Sequence, residues 1–176
     1  MNQRTYDRTE SIVIDGKDFH FTPDRKEFLQ GLTSAYPNQT NFTKEDFEKV
    51  DVTVHPPFTD IRSIQTVLES DKLAMMLGAQ NCHTEEKGAF TGEVSPAFLG
   101  KLGVKYVICG HSERRQYVGE TDEIVAAKVA AVIKFQMIPI VCVGESKEER
   151  ESGQTLERVE SQIRGSLKGR KADDLA

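Results

Sequence analysis

One heptapeptide gathers most of the chemistry this chain can offer. Cys109-Gly110-His111-Ser112-Glu113-Arg114-Arg115 places an imidazole, a hydroxyl, a carboxylate and two guanidiniums in unbroken succession, directly after the apolar run Tyr106-Val107-Ile108-Cys109. Such a run reads as a buried strand that delivers polar side chains at its carboxyl end, where parallel α/β sheets bind ligands. An imidazole beside a carboxylate can move a proton or polarise a carbonyl, and the guanidiniums can hold charge. The plainer reading is a capped loop in which Glu113 pairs with an arginine and His111 is solvated. Lys17, in Asp15-Gly16-Lys17, is a second candidate cation. Cys82-His83 is half a metal site, but no second Cys/His pair stands at ligand spacing, so neither zinc nor another metal is expected.

Strands alternating with helices must position these groups. Ile12-Val13-Ile14 is followed by the turn signal Asp15-Gly16 and the alternating Lys17-Asp18-Phe19-His20-Phe21, which fits a hairpin; one strand ending at 15–17 fits equally well. Thr22-Pro23 opens a short helix carrying Phe28, Leu29 and Leu32, and a polar loop covers 36–43. Val52-Thr53-Val54 is a strand stopped by Pro56-Pro57, and Ile61, Ile64, Val67 and Leu68 recur at helical spacing. Met75-Met76-Leu77 leads into a long loop over 80–92, and Ser95-Pro96 caps a helix ended by Gly103. After the His111 strand, Thr121 caps a helix through Ile133, with Asp122-Glu123 favouring its positive end. Ile138-Pro139-Ile140-Val141-Cys142-Val143 is another apolar strand, and Leu156, Val159, Ile163 and Leu167 mark an amphipathic helix before a polar tail over 168–176.

Strand and helix alternate about five times, and strands apolar throughout need cover on both faces, so the fold class is α/β with a parallel sheet and right-handed crossovers. The pattern alone does not separate an open doubly wound sheet from part of a (β/α)8 barrel. No G-x-G-x-x-G or P-loop motif occurs. Residues 1–10 read as a disordered arm and 11–176 as a single incomplete domain.

Composition bounds the function. The 176 residues carry a net charge of −5 with 29% charged and 38% apolar residues, which suits a folded domain and lacks the basic stripe of a nucleic-acid binder. No stretch is long and apolar enough for a membrane span, and the polar start has no apolar signal core. Three cysteines, Cys82, Cys109 and Cys142, suit reduced thiols in the cytoplasm. Two sequons, at Asn38 and Asn41, are expected to stay bare.

From about Asp51 to Leu167 the sequence resembles the triosephosphate isomerases. The resemblance rests on Pro57-Phe58-Thr59-Asp60, Gly78-Ala79-Gln80, Gly88-Ala89-Phe90-Thr91-Gly92-Glu93, Gly110-His111-Ser112-Glu113-Arg114-Arg115 and Pro139-Ile140-Val141-Cys142-Val143-Gly144-Glu145, in that order. It implies the second to fifth βα units of a TIM barrel, and a glycolytic and gluconeogenic isomerase that interconverts dihydroxyacetone phosphate and glyceraldehyde 3-phosphate through an enediolate, without a cofactor. It implies that His111 is the electrophile, which in this family is the known case of an imidazole kept neutral by a helix N-terminus. It implies that Glu113 is the second active-site carboxylate, that Ser112 neighbours substrate or caps the helix, and that Thr91, in the third loop, contacts the partner's site in a homodimer. Cys142 and Glu145 look structural, and Arg114 and Arg115 read as ion-pairing residues near the surface.

The departures are as informative. The family's Asn-x-Lys cation motif is missing, and Lys17 is the one stand-in, with Asp15 where the family has asparagine. No glutamate of residues 1–176 sits in a motif matching the family's base-bearing strand, and the glycine-rich phosphate site is not matched either. A full barrel needs about 250 residues. Five strands cannot close one, so exposed edges and apolar faces are expected, with self-association or binding of another fragment as the consequence, and little or no activity for the chain alone. Two competing readings are a non-catalytic remnant acting only by self-association and a different α/β enzyme that recruited the His111 loop.

Overall fold

A computed structural model describes residues 11–14, 17–20, 48–171 and 174. The chain divides into two compact units, Met1–Lys49 and Val50–Ala176. In the first, β1 (Ser11–Ile14) and β2 (Lys17–His20) pair antiparallel, with Ile14 opposite Lys17 and Ser11 opposite His20. The hairpin alternative therefore holds, and the single-strand alternative does not. The arm over 1–10, the turn at 15–16, the helix after Thr22-Pro23, the loop over 36–43, both sequons and part of the tail lie outside the described residues.

The second unit is a parallel sheet in the order β3 (Thr53–Val54), β4 (Met76–Ala79), β5 (Tyr106–Cys109), β6 (Ile138–Val141). All three pairings are parallel, with Gly78 opposite Tyr106 and Cys109 opposite Val141. The expected parallel α/β architecture is present. Among the described residues this sheet has four strands, and the expected first strand is the β1–β2 hairpin.

Each crossover is closed by the chemistry its sequence suggests. After Pro56-Pro57 a 3-10 turn (Phe58–Asp60) runs into α1 (Ile61–Ser70), which buries Ile61 and Ile64. Ser95 caps α2 (Pro96–Lys101) by accepting from Ala97 N–H at 3.1 Å, with proline in the first turn, and Leu99 enters the core. After β5 come α3 (Ser112–Val118) and α4 (Asp122–Lys134), separated by Gly119 at φ +73°. Thr121 caps α4, and Val125, Val129 and Val132 are fully buried where it packs on β5 and β6. Each such valine is worth about 1.5–3 kcal/mol of burial. Ser146 and Glu149 form a reciprocal capping box on α5 (Lys147–Glu151), followed by α6 (Thr155–Ser166). No helix among the described residues is long and apolar enough to cross a membrane.

Strands apolar throughout need cover on both faces, whereas an incomplete barrel is expected to leave apolar faces exposed, and the burial of β5 and β6 follows the second expectation. In β5 the alternation is clear: Val107 and Cys109 face the helices and are buried, while Tyr106 and Ile108 are only half-buried. In β6, Ile138 and Ile140 are 41% and 37% exposed. The described helices cover one face, and among the described residues β6 has a hydrogen-bonded neighbour on one side only. In α6 the stripe is buried unevenly: Val159 and Leu167 are half-buried, Leu156 is 84% exposed and Ile163 is exposed too, whereas Gln162 and Ser166 are buried. The reason is close approach to α4: a Cβ at Gly165 would stand 2.6 Å from Asp122 Cβ. Small and polar side chains fit that contact, and a leucine does not.

Candidate active site

β5 ends at Cys109, and the backbone reverses at Gly110 with φ +72°. A Cβ there would meet Val125 Cγ2 at 2.7 Å, so glycine is required by both conformation and space. The next residue, His111, leaves the sheet as the N-cap of α3, with φ −52° and ψ 144°. Its Nδ1 accepts the backbone N–H of Glu113 at 3.3 Å. A nitrogen that accepts carries no proton, so the neutral ring carries its proton on Nε2. The imidazole is 45% exposed. Glu113 Oε2 lies 3.7 Å from Nδ1, beyond hydrogen-bond reach, so the backbone donor decides the tautomer.

Ser112 is the first helical residue and is exposed, and the capping alternative for it falls to His111 instead. The plainer reading of Glu113 paired it with an arginine, but both arginines are engaged elsewhere. Arg114 Nε donates to Glu120 Oε1 at 2.5 Å. Arg115 Nη1 donates to Asp122 Oδ1 at 2.5 Å. The ion-pairing expectation for both is met. Their placement near the surface is not, since both are part-buried, and Arg115 reaches inward to Cys142 O and Ser166 Oγ.

Thr91 sits in a loop with internal architecture. It follows β4 at the same carboxyl edge from which His111 follows β5. Gln80 Nε2 donates to His55 O at 2.9 Å, and His83 N–H donates to Val94 O at 2.8 Å, closing the loop's base. Glu93 N–H to Phe90 O at 3.0 Å makes a turn with the exposed Thr91 and Gly92 at its centre, where Gly92 has φ +89°. Phe90 packs over Gly88 and lies 4.3 Å from the His83 ring. Cys82 and His83 thus have different surroundings: the thiol is fully buried and the imidazole packs against Phe90 at an interplanar angle of 46°. Lys17 lies on β2, in the other compact unit.

A buried ionic cluster underlies this edge of the sheet and had not been singled out in the sequence. Glu120 Oε1 accepts from Arg114 and from Lys128 Nζ, and Lys128 also donates to Asn81 Oδ1 at 2.6 Å. Burial pushes the Glu120 carboxyl up, but the Lys128 and Arg114 hydrogen bonds prevail and hold it below the ordinary 4.5. The sequence carried a signal for it, a lone lysine within the apolar run Ile124–Ile133. Burial raises all three thiols, Cys82 to about 11. His55 is a second residue that sequence reasoning passed over. Its ring contacts Thr53 Oγ1 at 3.0 Å and Ala79 O at 3.2 Å.

The arrangement offers an imidazole at a strand tip with Nδ1 accepting a backbone N–H, a carboxylate beside it, and a braced loop from the adjacent strand. The family model for triosephosphate isomerase matches residues 12–176. The triosephosphate isomerase of Mycobacteroides abscessus is 56% identical over 129 residues, covering 73% of this chain and 49% of that one. That of Corynebacterium glutamicum is 55% identical over 148 residues, covering 84% and 55%. The crystal structure of triosephosphate isomerase from Bartonella henselae superposes with a TM-score of 0.66 at 36% identity, over 71% of this chain and 52% of that one. The chain therefore spans about half the length of the relatives it matches, and its open sheet is consistent with a partial TIM barrel. On the match over 12–176 and these identities, the chain belongs to the triosephosphate isomerase family.

Proposed function

We propose that residues 50–176 supply the electrophile-bearing half of an isomerase site that interconverts dihydroxyacetone phosphate and glyceraldehyde 3-phosphate, in cytoplasmic glycolysis and gluconeogenesis. The observation that carries this reading is the hydrogen bond from Glu113 N–H to His111 Nδ1, which leaves Nε2–H as the ring's donor. A neutral imidazole donating to the substrate carbonyl acidifies the neighbouring C–H and stabilises the enediolate oxygen as charge develops. Glu113 is the second carboxylate that orders the site, and Ser112 neighbours the substrate. The resemblance offers Lys17 as the cation for the phosphate and the developing oxyanion, with Asp15 where the family has asparagine. Thr91, at its turn, contacts the active site of a second copy in a homodimer.

The base and the phosphate-binding glycines come from a further segment that pairs with β6 and completes the barrel. The chain alone then turns over slowly or not at all. A coupled triose phosphate assay on residues 1–176, alone and mixed with the C-terminal half of the Mycobacteroides abscessus enzyme, tests this. Turnover is expected in the mixture and not in either part.

A second reading has its own support in the edge of β6 that no described strand pairs, the exposed Ile138 and Ile140 beside it, and Leu156 on α6. It makes the chain a non-catalytic remnant that acts by self-association. Sedimentation showing homo-oligomers, together with a flat assay in the presence of the complementing half, would favour it.

A further inference from the structure

We infer that Arg115 is the positioning residue for His111, because it holds both peptide units that flank the imidazole-bearing residue. The Gly110 carbonyl belongs to the peptide whose nitrogen is His111's own, and Arg115 Nε donates to it at 2.7 Å. The His111 carbonyl belongs to the next peptide, and the Arg115 backbone N–H donates to it at 3.0 Å. Rotation about φ or ψ of His111 swings one of these planes, so the two bonds together fix both torsions. At those torsions Nδ1 meets the Glu113 N–H.

The guanidinium is itself held from three sides. Nη1 donates to Asp122 Oδ1 at 2.5 Å, at the start of α4. Nη2 donates to Cys142 O at 3.3 Å, just past β6, and to Ser166 Oγ at 3.1 Å, at the end of α6. Ser166 Oγ in turn donates to Asp122 Oδ1 at 3.3 Å. A planar fork with several fixed donors can bridge Gly110 and these partners at once. A lysine offers one nitrogen on a flexible stem and cannot. Arg115 thus carries the relative placement of β5, α4, β6 and α6 to the orientation of one ring.

The functional weight of this role rests on the reading of His111 as the electrophile, but its test reads geometry and not turnover, so the two fail separately. Imidazole and amide nitrogen NMR on the whole 176-residue chain reports the His111 tautomer and the exchange of the Glu113 amide. The unaltered chain is expected to show His111 as the Nε2–H form, with the Arg115 Nε–H and the Glu113 amide both protected. Arg115→Lys should mix the tautomers and speed Glu113 amide exchange by about tenfold, the loss of one hydrogen bond. Asp122→Asn keeps an acceptor for Nη1 and leaves the Gly110 bond, so it should shift both readouts by less than about twofold even if it lowers stability. A folded Arg115→Lys chain with an unchanged His111 tautomer would overturn the assignment, and so would Asp122→Asn disturbing His111 as strongly. Should Arg115→Lys fail to fold, the unaltered chain decides: an Arg115 Nε–H that exchanges freely while the Glu113 amide stays protected contradicts the clamp.

Discussion

Glu120 and Lys128 form an ion pair whose side chains are 4% and 5% exposed, packed between the end of α3 and the apolar face of α4. Removing one member leaves the other charged and buried, which costs about 3–5 kcal/mol. Glu120→Gln should therefore lower stability by that order at neutral pH, measured by urea unfolding.

The same pair sets an acid limit. The Glu120 carboxyl lies below the ordinary 4.5 in the folded state. Its contribution is complete above the unfolded carboxylate value and is lost as pH falls through the depressed folded one. The stability difference between the unaltered chain and Glu120→Gln should be largest above about pH 5 and shrink in stronger acid. Unfolding curves at several pH values check this, and a constant gap would contradict it.

Gly78 and His55 are matched. A Cβ at Gly78 would lie 2.2 Å from His55 Cε1, and the ring is bonded to Thr53 and Ala79 and has little room to move. Gly78→Ala should cost about 1–3 kcal/mol as overpacking. Adding His55→Ala should recover part of that loss, and a double-mutant cycle with no coupling would refute the contact.

The thiols should separate by burial. Cys82 and Cys109 are buried, Cys142 is part-exposed, and burial raises each thiol. Alkylation followed by mass spectrometry should modify Cys142 first in the folded chain, with Cys82 and Cys109 reacting only as the chain unfolds.

The legible part of the fold was the part written in local chemistry. Ser95-Pro96, Thr121 and Gly103 mark helix ends as their side chains and backbone freedom require. The apolar runs at 106–109 and 138–141 are strands of the parallel sheet. What could not be read depends on tertiary partners. Leu156 and Ile163 have the spacing of an inward stripe, but α6 turns Gly165 and Ser166 to α4, because Asp122 and Arg115 occupy that contact. Likewise, Glu113 beside two arginines reads as an ion pair until Glu120 and Asp122 are seen to take both of them. His55 gave no local signal, since its role depends on a glycine in the next strand.

The central claim is that His111 presents Nε2–H to a substrate carbonyl within a barrel this chain half supplies. The most direct test is the rate of triose phosphate isomerisation by residues 1–176 combined with the C-terminal half of the Mycobacteroides abscessus enzyme, with and without His111→Gln. The account predicts turnover that falls by at least about a hundredfold in the variant. A stable one-to-one complex whose rate is the same with glutamine at position 111, or no different from buffer with histidine there, would contradict it.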